Sequence, residues 1–313
     1  MTHDDYTPSG AAPVRVRSNE PMDDLSGDAP PSAFPPPEQE PQNLIGITDS
    51  PPTPHFQPGI QEDLQVPWGW MEVALFVILG VIASYLVTSA AAEIAVRLFG
   101  VRPSDVLDPD KMTTPKSLVL LLSQAAVDGL AILYFYLMLR ARTEAPFWQT
   151  IGWRDLYGGN GRIRSSAIRF LAGGALLAVV VTFAGGFLNS KGTLPIEELL
   201  QARVSILLFG LLGVLVAPLV EETIFRGFLY PVIARRFGIA AGVAITGTLF
   251  GLMHAAQLWG GWGQIALLIL VGVVLTWVRA RTETVAASYF VHLGYNGLQL
   301  VGYLVYIVSG SHH

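Results

Sequence analysis

Seven apolar stretches follow one another along the chain, at about 68–91, 117–139, 166–188, 204–230, 239–256, 263–279 and 284–308. A helix needs ~17–25 residues to cross a bilayer, so each stretch predicts a membrane span. The runs are too long and too continuous for barrel strands, and the fold class expected is an all-α polytopic helix bundle. Trp68 and Trp70 open the first span as an interfacial aromatic anchor. The fifth and sixth spans are short and rich in Gly and Ala, which suits close helix–helix packing. No eighth span is visible. Segment 140–164 mixes Trp, Phe and Arg, and reads equally as an interfacial amphipathic piece or a connecting loop.

Composition splits the chain in two. Residues 1–67 hold 14 of the 21 prolines, with eleven acidic residues and two basic ones, Arg15 and Arg17. So few large apolar side chains cannot offset the entropy of ordering the chain, and this stretch predicts a disordered acidic tail. The membrane domain is expected over 68–310. The start lacks a basic region followed by an apolar one, so no cleavable signal is expected and the first span serves as the insertion signal. There are no cysteines, which excludes disulfides, a thiol nucleophile and thiolate metal ligands. No basic stripe or nucleic-acid motif is present, so no nucleic-acid partner is expected. Loops 140–169, 231–238 and 279–283 carry ten arginines against six basic residues in the opposite loops. The positive-inside rule then puts the tail in the cytoplasm of a protein of the cell membrane.

A few polar residues break the apolar pattern. Glu221 and Glu222, with Arg226, lie in the run 217–231, APLVEETIFRGFLYP. A charge at the centre of a membrane helix costs at least ~2.5–3.5 kcal/mol, so such groups mark functional sites. Glu222 and Arg226 are four apart and share a face, Glu first, which is the better order for a pair. Glu221 points about 100° away and is left free. Pro218 cannot donate to the carbonyl of Val214, so the helix should kink or open just before the carboxylates. His254 falls near the end of the fifth span. His292 and Asn296 share a face of the last span, where they serve either as packing contacts or as a polar site. Tyr295 reads as packing. Asp128, with Gln124 one turn before it, can line the same cavity or bond across helices, and the structural role is preferred.

Depth along each helix brings the exceptions together. At 1.5 Å per residue, Glu221 lies about 21 Å above Arg235 and His254 about 24 Å past Gly238. His292 and Asn296 lie about 17 and 22 Å past Arg281. Three helices thus place their polar groups in one slab of the bilayer. Such a set suits hydrolysis. A Glu takes a proton from water attacking a carbonyl, a His assists or protonates the leaving amine, and a second His with an Asn donates to the oxyanion. No GxSxG motif competes. Glu221, His254 and His292 would equally supply an oxygen and two nitrogens to Zn²⁺, although no HExxH motif supports a zincin-like site.

The motifs P-x-x-E-E-x-x-x-R-G at 218–227, F-x-x-x-H at Phe250–His254 and H-x-x-x-N at His292–Asn296 resemble those of the CPBP family. This CAAX protease and bacteriocin-processing group, also called Abi, includes the type II CAAX prenyl endopeptidases. The resemblance covers about 203–300. It implies an intramembrane endopeptidase acting on a membrane-associated protein or peptide. Glu221 and His254 would activate water, His292 and Asn296 would hold the oxyanion, and Glu222 and Arg226 would support them. The family is described both as metal-free and as metal-dependent. The metal-free form is preferred because the carboxylate, histidine and asparagine set is complete without a cofactor. Prenylated substrates do not follow from the sequence. A non-catalytic immunity or scaffolding protein and a proton-relay transporter are the competing readings, the latter weakened by the lack of symmetry between halves.

Overall fold

A computed structural model describes residues 61–102, 114–156, 167–188, 210–255, 258 and 260–310. The tail expected at 1–67 therefore lies outside the described residues except at its end. So do Arg162, Arg164, Lys111, Lys191 and Arg203 among the residues used for orientation.

The described residues are all-helical, with eight helices. These are α1 (Trp70–Phe99), α2 (Thr114–Arg140), the four-residue α3 (Phe147–Thr150) and α4 (Ala167–Gly185). A composite helix α5 follows through Leu212–Val216, Ala217–Glu222, Thr223–Leu229 and Tyr230–Phe237. Then come α6 (Ile239–Met253), α7 (Trp262–Thr282) and α8 (Val285–Gly310). By length and composition, α1, α2 from Lys116, α4 and α7 are apolar enough to cross a membrane, which makes this an integral membrane protein. At 15 residues α6 is shorter. Polar residues on α8, among them His292, Asn296 and Gln299, dilute its apolar run.

The seven expected stretches coincide with α1, α2 and α4–α8. The largest boundary difference is in α1, which runs on to Phe99 and ends where Gly100 turns left-handed at φ 66°. Segment 140–164 is a short helix and turns in its described part. Ile151 is fully buried there, with its carbonyl against Gly227.

Small residues set the helix spacing around the site. A Cβ on Gly174 of α4 would lie 1.9 Å from the Val291 carbonyl oxygen, and one on Gly294 of α8 would lie 2.1 Å from that of Leu171. On the other side, a Cβ on Gly247 of α6 would lie 2.5 Å from the Val273 nitrogen. One on Gly272 of α7 would lie 2.4 Å from the Gly247 oxygen. Only glycine permits these backbone approaches, the arrangement expected of the Gly-rich fifth and sixth spans.

At the arginine-rich end an aromatic cluster binds α1, α2 and α5. Phe228 lies 4.7 Å from the Phe135 ring, and Trp68 stacks on it at 5.7 Å. The Trp68 indole nitrogen donates to the Phe228 carbonyl at 2.9 Å. Arg235 donates to the carbonyls of Val66 and Trp68 at 3.1 and 2.8 Å. Asp63 forms a buried 2.6 Å ion pair with Arg279 of α7. The chain just ahead of α1 is thus fastened across the inner ends of α5 and α7.

Candidate active site

α5 does not wind evenly. Leu212–Val216 and Thr223–Leu229 are π-helical, with a short α-helical piece between them carrying both glutamates. π turns are uncommon and concentrate at functional sites. The first one gives the Pro218 effect a different form from that expected. In a π turn each N–H reaches five residues back, as the Ala217 N–H does to the Leu212 oxygen. The proton Pro218 lacks would therefore have gone to Gly213 rather than Val214. Asn296 of α8 supplies it instead, its Nδ2 donating to the Gly213 carbonyl at 2.8 Å.

The two glutamates occupy different environments. Glu222 is fully buried, and its Oε1 accepts from Arg226 at 2.8 Å and meets His292 Nδ1 at 2.9 Å. Arg226, also fully buried, donates further to the Gly272 carbonyl at 2.9 Å and the Thr276 hydroxyl at 3.2 Å, both on α7. Its guanidinium carbon sits 4.5 Å from the centre of the Phe250 ring. The charge is thereby balanced by an anion, two neutral acceptors and an aromatic face. The sequence offers no signal for Gly272, and Thr276 is a lone hydroxyl on an otherwise apolar helix.

Glu221 points elsewhere, with 18 % of its side chain exposed. Its Oε1 lies 3.8 Å from His254 Nε2, and its Oε2 lies 3.7 Å from His292 Nε2. Both separations exceed hydrogen-bond length. A bridging molecule fits such gaps. The proton positions follow from the partners. His254 Nδ1 is 2.9 Å from the Phe250 carbonyl, which can only accept, so Nδ1 carries hydrogen. His292 Nδ1 carries it likewise when Glu222 is a carboxylate. In the neutral rings, then, both Nε2 atoms present lone pairs toward Glu221. Phe250 packs against both imidazoles, with ring centres 5.0 and 5.6 Å apart.

Glu221, His254 and His292 are thus brought together by α5, α6 and α8. Glu222 and Arg226 form the buried layer behind them. Asn296 is anchored to the π turn of α5. Tyr295 is in the apolar core, as expected. Gln124 donates to Asp128 within α2 at 2.9 Å, so this pair does not bond across helices. Among the described residues no group of three His, Asp or Glu side chains is disposed to hold a metal ion.

A membrane-embedded carboxylate flanked by two imidazoles defines a class of polar intramembrane site. Residues 203–298 match the family model described as type II CAAX prenyl endopeptidase Rce1-like, and the chain carries a domain of that family of proteases. The match spans the glutamate pair, His254, His292 and Asn296. Membership implies intramembrane proteolysis of protein or peptide substrates. No curated protein and no solved structure matches the chain.

Proposed function

We propose that this protein is an intramembrane endopeptidase in which Glu221 is the general base. The observation that carries the reading is the difference between the adjacent carboxylates. Glu222 is sealed behind Arg226 and His292, while Glu221 is partly accessible between two imidazole nitrogens. A water held between Glu221 and His254 Nε2 loses its proton to the carboxylate as its oxygen attacks the scissile carbonyl carbon. The C–N bond then breaks, and the proton passes to the leaving amine. The developing oxyanion needs donors. The second N–H of the Asn296 amide is one, since Gly213 engages the first. His292 Nε2 donates only as the imidazolium, whose charge the Glu222 carboxylate beside Nδ1 balances. Glu222 and Arg226 fix the ring that faces the substrate.

Zinc is the alternative for the same residues. Glu221, His254 and His292 are the donors that would hold it, and the ion would polarise the bound water. The tail and arginine-rich loops face the cytoplasm in this reading, and the substrate is a membrane-associated protein or peptide.

The test is hydrolysis of a lipid-anchored peptide panel by protein purified in detergent. Glu221→Ala and His254→Ala are each expected to abolish turnover. Unchanged activity in both variants would sink the proposal, as a purely binding protein requires.

A further inference from the structure

Asp128 lies on α2, outside the residues that match the protease family, yet three observations aim it at the same cavity. Its stripe of α2 is the core-facing one. Leu121, seven residues before it, and Phe135, seven after, are both buried, and residues seven apart on a helix share a face to within about 20°. Its height matches that of Glu221. α2 and α5 run in the same sense and meet where the Phe135 and Phe228 rings lie 4.7 Å apart. Asp128 is seven residues before Phe135, and Glu221 is seven residues before Phe228. α2 also packs on the stretch of α5 that carries the glutamates, and Asp128 is within electrostatic reach of Glu221.

A carboxylate at mid-membrane depth needs a partner or a polar cavity. Within the described residues Asp128 has one hydrogen bond, from Gln124 of its own helix to Oδ1. That bond leaves Oδ2 as an acceptor, and the Gln124 carbonyl oxygen is another. The pair therefore presents acceptors to the cavity. The charge around it points the same way, because Asp128, Glu221 and Glu222 face a single guanidinium, Arg226, already used by Glu222. A low-dielectric cleft with surplus negative charge concentrates cations.

We propose that Asp128 is a specificity residue that receives a cationic side chain, lysine or arginine, of the substrate beside the scissile bond. This deepens the protease reading and rests on it. Asp128 takes no part in bond cleavage. It holds the substrate, so its loss falls on KM.

The probes are two lipid-anchored fluorescent peptide sets, one with a single lysine scanned along the sequence next to the anchor, the other with norleucine at the same positions. Binding is measured on the full chain in lipid nanodiscs in the Glu221→Gln background, so it is scored whether or not hydrolysis occurs. Turnover is measured with Glu221 intact. The best lysine peptide is expected to bind at least tenfold more tightly than its norleucine twin. Asp128→Asn removes that preference and raises KM for the lysine peptide about tenfold with little change in kcat. Asp128→Glu restores part of the preference. Equal binding of the two sets, or an equal effect of Asp128→Asn on both, overturns the proposal. If lysine preference depends on Asp128 while no peptide is ever cleaved, the protease reading fails and the cation site stands.

Discussion

Removing Arg226 exposes how the buried layer is held. Arg226→Met keeps most of the stem volume and deletes the donors to Glu222, Gly272 and Thr276. Glu222 is then a fully buried carboxylate with only His292 beside it. Truncating one partner of a buried ion pair typically costs about 3–5 kcal/mol, because the remaining charge is left uncompensated. That corresponds to roughly a 10²–10⁴-fold fall in the folded-to-unfolded ratio. The effect comes chiefly from the stranded charge, so adding Glu222→Gln should relieve part of it. The double variant is expected to be more stable than the sum of the two single losses by at least about 1 kcal/mol. Reversible unfolding in mixed micelles, followed by tryptophan fluorescence, measures all four proteins. A loss below about 1 kcal/mol in Arg226→Met, or additivity within ~0.5 kcal/mol, would refute the reasoning.

The other expectations are more local. Asp63→Ala leaves Arg279 buried without its anion, and the same unfolding assay should read a loss of about 3–5 kcal/mol. Gly294→Ala drives a Cβ against the Leu171 carbonyl and forces α4 from α8; overpacking of this kind costs about 1–3 kcal/mol. Asn296→Ala strands the Gly213 carbonyl that Pro218 cannot serve, so it should lower stability by about 1–3 kcal/mol as well as slow turnover. Elemental analysis of active protein should find no stoichiometric zinc, and a chelator should leave the rate unchanged.

Much of this site is legible along the chain because charges in apolar spans have few explanations. The 100° offset between neighbouring helix residues separates Glu221 from Glu222, and the structure places them in open and sealed surroundings accordingly. The depth count brings Glu221, His254 and His292 to one level for the same reason. What periodicity misses is contact across helices. The Gly272 carbonyl under Arg226 depends on backbone approach, which leaves no mark on residue polarity. The π turns shift the carbonyl orphaned by Pro218 from Val214 to Gly213, and so give Asn296 a structural bond that its spacing from His292 does not suggest. The Asp63–Arg279 pair joins residues 216 apart in sequence, beyond any local pattern.

The account's central claim is that the accessible carboxylate, not its buried neighbour, takes the proton from water. The most direct measurement is single-turnover cleavage of one lipid-anchored peptide by wild type and by Glu221→Gln, at saturating enzyme and equal folded protein. General-base catalysis contributes ~10²–10⁴-fold. Glu221→Gln should therefore slow cleavage by at least about 10²-fold with its melting temperature unchanged. Cleavage within tenfold of wild type would contradict it.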